Sequence, residues 1–167
     1  MVGGVISIAI LLSAVGHELG HAIVARRAGL SSGPVTVYFI GAAASPVLGS
    51  GKPRDEIRVA LAGPGVNLGI GALSVVVAVV IGGTGVGGID GAVVGRGPLP
   101  LVAEAALVIG VLNLILGGVN LLPAFPFDGG RVVRAAAWAR TGDPARGLRV
   151  AARVGRWFGI GCAVAGL

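Results

Sequence analysis

The chain has 167 residues, 54% of them hydrophobic and only 12% charged, with a mean hydropathy of +0.94 and a formal net charge of +6. A soluble domain carries about a quarter charged residues, so this composition argues for an exterior that faces lipid. The 32 glycines show no three-residue period, which excludes collagen, and the lone Cys162 excludes an intramolecular disulfide or a cysteine-rich zinc site. Lys52 is the single lysine, aromatics are 4%, and the arginines do not alternate with stacking side chains, so the positive charge does not point to nucleic acid.

The first apolar run, Val2 to Val24, is about 23 residues or ~35 Å as a helix, enough to cross a bilayer. It is too long for the apolar core of a signal peptide and lacks a basic start. It also contains His17, Glu18 and His21. Ser31 to Pro34 is a breaker cluster, and Val35 to Ile40, β-branched and aromatic, reads as a short strand. Gly41 to Gly51 is small and flexible, so a short membrane-associated β segment is expected near 35–48. The second apolar run is Ile57 to Gly82, preceded by Asp55 and Glu56, and the third is Pro100 to Leu122, closed by Pro123 and Pro126. A fourth begins near Val154 and stops at Leu167, too short to cross a bilayer. The expected fold is an all-α polytopic membrane protein: three core transmembrane helices, a partial fourth and the β segment. It forms a single core domain over 1–167, trimmed at its C-terminus or completed there by a partner.

The basic residues orient these spans. Of the 13, all but Arg96 fall either between the first and second spans or after the third. The positive-inside rule makes that side cytoplasmic and places a multi-pass protein in the cell membrane with the start of the first span outside.

His17-Glu18-Leu19-Gly20-His21 is an H-E-x-x-H motif. On a helix, residues four apart share a face, so both imidazoles reach one metal ion, and Glu18 addresses a water bound to it. Zinc brings the pKa of such a water to roughly 7, and Glu18 serves as general base. Two histidines and a glutamate are costly within an apolar span and are functional there by default. A polar cluster that merely bonds neighbouring helices is the bland alternative. It sits poorly with the fact that these are the only two histidines and that they are correctly spaced. His17 precedes Arg26 by nine residues, ~13 Å of helix, which puts the metal inside the membrane, nearer the cytoplasmic face.

A catalytic zinc normally takes three protein ligands. The acidic candidates for the third are Asp55, Glu56, Asp90, Glu104, Asp128 and Asp143. Asp90 and Glu104 lie toward the opposite face, while Asp55, Glu56 and Asp143 read as solvated charges or caps. Asp128 stands apart, between two helix-breaking prolines and a glycine pair, at a depth comparable to His21. Its competing role is to cap a helix beginning near Gly130. One zinc per chain, held by His17, His21 and Asp128, is the expected centre.

Gly16 to Ala22, Ala62-Gly63-Pro64-Gly65-Val66-Asn67 and Asn120 to Gly130 together resemble the site-2 protease family of intramembrane metalloproteases, in family order and across most of the chain. Phe127 stands where the family usually has Leu. The resemblance implies the same zinc ligands and base, and assigns Asn120 a role in orienting substrate or polarising the oxyanion. A carboxamide can donate to such an oxyanion, while Asn67 and Asn113 read as interhelical hydrogen-bonding residues. It further implies hydrolysis of transmembrane segments of membrane-tethered proteins, such as transcriptional regulators or anti-sigma factors, in regulated intramembrane proteolysis. A metal transporter would spread polar residues along several spans, whereas here they converge on one depth. A silent scaffold would not need Glu18. The strand at Val35 to Ile40 leaves two expectations: its free edge pairs with an unwound substrate, or the segment is a structural hairpin that plugs the cytoplasmic entrance.

Overall fold

The computed structural model describes residues 2–30, 35–38, 41–44, 52–83 and 101–166. Five helices are present among them: α1 (Val2–Arg27), α2 (Pro53–Gly83), α3 (Leu101–Asn120), α4 (Asp128–Thr141) and α5 (Pro144–Ala165). Two strands, β1 (Val35–Tyr38) and β2 (Gly41–Ala44), pair antiparallel, with Val35 opposite Ala44 and Tyr38 opposite Gly41, and this hairpin lies against α1. The remainder of the 35–48 segment, the breaker at Ser31 to Pro34, Asp90 and Arg96 lie outside the described residues. The helices α1, α2 and α3 are long and apolar enough to cross a membrane.

These three pack on one another, α4 packs on α2, and α5 packs on α4. Among the described residues the bundle buries small and polar side chains and exposes its large apolar ones. The buried residues of α1 include Ser13, His17, His21 and Ala25, one turn apart along a single face, whereas Leu11, Leu12, Leu19 and Ile23 are exposed. Lipid is as apolar as leucine, so close packing of small residues and interhelical hydrogen bonds hold such helices together. The interior fits that rule, since Asn113 and Pro64 are its largest fully buried side chains. Gly16, just before the H-E-x-x-H motif, and Gly20, within it, let α1 approach α2: a Cβ on Gly20 would stand 3.0 Å from the Ala62 carbonyl oxygen. Gly71 and Gly110 do the same between α2 and α3, where a Cβ on Gly71 would lie 3.0 Å from the Gly110 carbonyl oxygen. Ser13 donates to Asn113, whose amide donates at 3.0 Å to Ile109, tying α1 to α3.

The C-terminal helices differ from the expected partial fourth span. The helix expected from Val154 begins at Pro144 and runs 22 residues. Its start is a local signal: Gly142, in the left-handed region at φ 70°, closes α4, and the Asp143 carboxylate accepts from the Ala145 amide at 2.8 Å. Arg146, Arg149, Arg153 and Arg156 make the first half of α5 amphipathic, so a search for apolar runs finds only its end. In the same way α4 starts at Asp128 rather than near Gly130, and Asp128 is not its cap: that position is Phe127, with no side-chain cap bond.

Candidate metal centre

Three ligand atoms from two helices that are not sequence neighbours meet in the interior. His17 Nε2 and His21 Nε2 lie 3.1 Å apart, and Asp128 Oδ2 stands 3.2 Å from the first and 3.1 Å from the second. All three residues are buried, and Glu18, next along α1, is 9% exposed.

The outer nitrogens establish what these atoms are. His17 Nδ1 faces Asn67 Oδ1 at 3.2 Å, and His21 Nδ1 faces the Val59 carbonyl oxygen at 2.7 Å. Both partner oxygens accept, so each Nδ1 carries hydrogen, and in the neutral imidazole each Nε2 is then the bare lone pair that a metal ion takes. Two imidazole lone pairs and a carboxylate oxygen aimed at one another repel unless a cation lies among them. Donors about 2.0–2.2 Å from a tetrahedral zinc are roughly 3.3–3.6 Å apart, a little more than the 3.1–3.2 Å seen. The donor set of two nitrogens and one oxygen suits zinc and leaves a fourth position open for chemistry. The residues present therefore fit the ion.

The surrounding groups keep each ligand in place. Arg131 donates from Nη1 to Asp128 Oδ1 at 3.2 Å, which leaves Oδ2 turned toward the histidines. The chain from Leu121 to Phe127 folds back over the start of α4, and a Cβ on Gly129 would collide with the carbonyl oxygens of Leu121 and Leu122. Gly63 of α2 lies directly beneath the imidazoles: a Cβ there would meet His21 Nε2 and stand 2.6 Å from His17 Nε2. Asn120 ends α3, where its amide donates to the Leu116 carbonyl at 2.9 Å.

Four of these roles go beyond the expectations from sequence. Asn67 bonds between helices, but its partner is a ligand-bearing imidazole. Val59 acts through its carbonyl, which no side-chain pattern announces. Arg131 belongs to the basic residues after the third span that orient the chain, and its i,i+3 spacing from Asp128 is readable in the sequence. Glu56, expected as a solvated charge or a cap, is 3% exposed and bonded to Arg134 of α4. The signal missed was the spacing of Glu56, Ala60, Gly63 and Asn67, which places small and polar residues on one face of α2.

The chain is similar to known proteins in sequence and in fold. Rip3 of Mycobacterium tuberculosis, whose name describes a zinc metalloprotease, is 38% identical over 150 residues, covering 90% of this chain and 35% of its own. Zinc metalloprotease MJ0392 of Methanocaldococcus jannaschii is 32% identical over 152 residues, covering 91% and 40% respectively. The chain thus spans well under half the length of these relatives. The solved site-2 protease from M. jannaschii superposes with a TM-score of 0.64 at 28% identity, over 95% of this chain and 65% of that one. Residues 5–162 match peptidase family M50. The chain belongs to that family, the site-2 proteases.

Proposed function

We propose that this protein is an intramembrane zinc endopeptidase that hydrolyses peptide bonds in transmembrane segments of other proteins. The convergence of His17 Nε2, His21 Nε2 and Asp128 Oδ2 inside a bundle of three membrane-length helices carries this reading. These three residues would hold one zinc per chain, and the bound ion would polarise the scissile carbonyl and lower the pKa of a water it holds to about 7. Glu18 takes the proton of the attacking water and returns it to the departing amine nitrogen. Asn120 keeps one amide hydrogen free after bonding Leu116, and that donor orients the substrate carbonyl or stabilises the oxyanion. The enclosing helices exclude lipid from a polar site nearer the cytoplasmic face of the cell membrane. The substrates are membrane-tethered proteins, transcriptional regulators or anti-sigma factors among them, and the reaction is regulated intramembrane proteolysis.

Glu18→Gln tests this reading in proteoliposomes with a helical transmembrane substrate. Zinc content is expected to stay near one ion per chain while cleavage falls by at least about a hundredfold, whereas His17→Ala or Asp128→Ala binds zinc substantially more weakly and loses cleavage with it. Cleavage by Glu18→Gln at the native rate would assign the base elsewhere, and full zinc occupancy in Asp128→Ala would remove Asp128 from the ligand set.

A further inference from the structure

α2 touches α1, α3 and α4 yet supplies no atom to the metal centre. Its inner face holds the imidazoles of α1 through Val59 and Asn67. The third ligand belongs to α4, which reaches the site from a separate part of the chain and must also be registered against α2. Among the described residues, the side-chain ion pair that joins these two helices is Glu56–Arg134. It is buried, with Glu56 3% exposed and the Arg134 side chain 12%. Glu56 Oε1 accepts from Arg134 Nη2, and Glu56 Oε2 has no hydrogen-bond partner.

A carboxylate withdrawn from water with half its acceptor capacity unused is costly, and an ion pair of this kind is a poor source of stability. It is, however, a strict source of register, because neither charge tolerates leaving the other. Arg134 follows Asp128 by six residues, ~9 Å along a rigid helix. Its carbonyl lies in the α4–α5 contact, where a Cβ on Gly147 would stand 3.1 Å from Trp138 Cβ and closer still to the Arg134 oxygen. An axial slide or rotation of α4 that displaced Asp128 from the histidines would separate the ion pair.

We infer that Glu56 is a positioning residue for the metal centre: by holding Arg134 it sets the register of α4 and so the place of Asp128 Oδ2. This rests on the zinc-site reading above. In the full chain, zinc affinity measured by chelator competition is expected to fall about tenfold in Glu56→Gln and in Arg134→Gln, and the double variant loses no more than either single one. Arg134→Lys, which keeps the charge, stays within about threefold of native. In an Asp128→Ala background, Glu56→Gln has no further effect, because the residue through which it acts is gone. Cobalt-substituted Glu56→Gln shifts its visible absorption toward that of Asp128→Ala. Should Glu56→Gln fail to fold, the same cycle is run with Arg134→Lys and Arg134→Gln. Equal losses of affinity in both backgrounds, or native affinity in every variant, would overturn the inference. A native chain that binds no zinc is a different outcome and removes the metal-site reading itself.

Discussion

Gly63 and Gly65 occupy the same short motif, but only Gly63 faces the metal centre. A methyl group on Gly63 would occupy the space of both Nε2 atoms, whereas one on Gly65 meets nothing within 4 Å. Gly63→Ala is therefore expected to weaken zinc binding by at least about tenfold, in the range seen when a supporting residue of a metal site is lost. Gly65→Ala should bind as the native chain does, since alanine also favours a helix over glycine. Chelator competition on the two variants makes the comparison, and matching affinities would show that the imidazoles do not pack against Gly63. The histidines and Glu18 were legible from spacing alone, because 3.6 residues per turn determines which side chains share a face. The contributions of Gly63 and of the Val59 carbonyl were not. One acts by lacking a side chain and the other through its backbone.

The hairpin is the element whose role follows least directly from its neighbours. Peptide bonds in a helical substrate are shielded, since each carbonyl bonds an amide four residues on. Cleavage of such a substrate, as proposed above, would therefore need local unwinding, and among the described residues β1 and β2 pair with each other alone, which leaves each an outer edge that an extended strand can join. Adjacent amides of a strand point to opposite edges, so one of Thr36→Pro and Val37→Pro disrupts the hairpin while the other removes an outward donor. The outward substitution is expected to slow cleavage of a transmembrane substrate about tenfold or more, in line with the loss of an orienting contact, with zinc content unchanged. If both folded, zinc-loaded variants cleave at the native rate, strand pairing plays no part. For the helices, apolar runs located the three spans but missed the start of α5. Hydropathy averages over a face that carries four arginines, whereas the Gly142-Asp143-Pro144 stop-and-start signal is local and independent of hydropathy.

At the scale of the molecule, the outward line of α5 changes character along its axis. It passes from Arg146, Arg149, Arg153 and Arg156 to exposed Trp157, Ile160 and Val164. Arginine and tryptophan in that order belong at a bilayer boundary. With Trp138→Phe leaving Trp157 as the only tryptophan, acyl-chain-brominated phospholipids are expected to quench its emission, shallow bromines more than deep ones. Emission untouched by bromine but quenched by aqueous iodide would place α5 away from the membrane. The sequence by itself determined that the chain is a membrane protein, that α1 carries His17, Glu18 and His21 in the H-E-x-x-H spacing, and that Asp128 is the acidic residue to set beside them. These are properties of composition, period and order, which one strand of sequence contains. Only the tertiary structure decided that α2 is the template of the site, that Glu56 is buried against Arg134, and that both Nε2 lone pairs turn toward Asp128. Those depend on which faces of distant helices meet, and contacts across about a hundred residues leave no periodic trace along the chain.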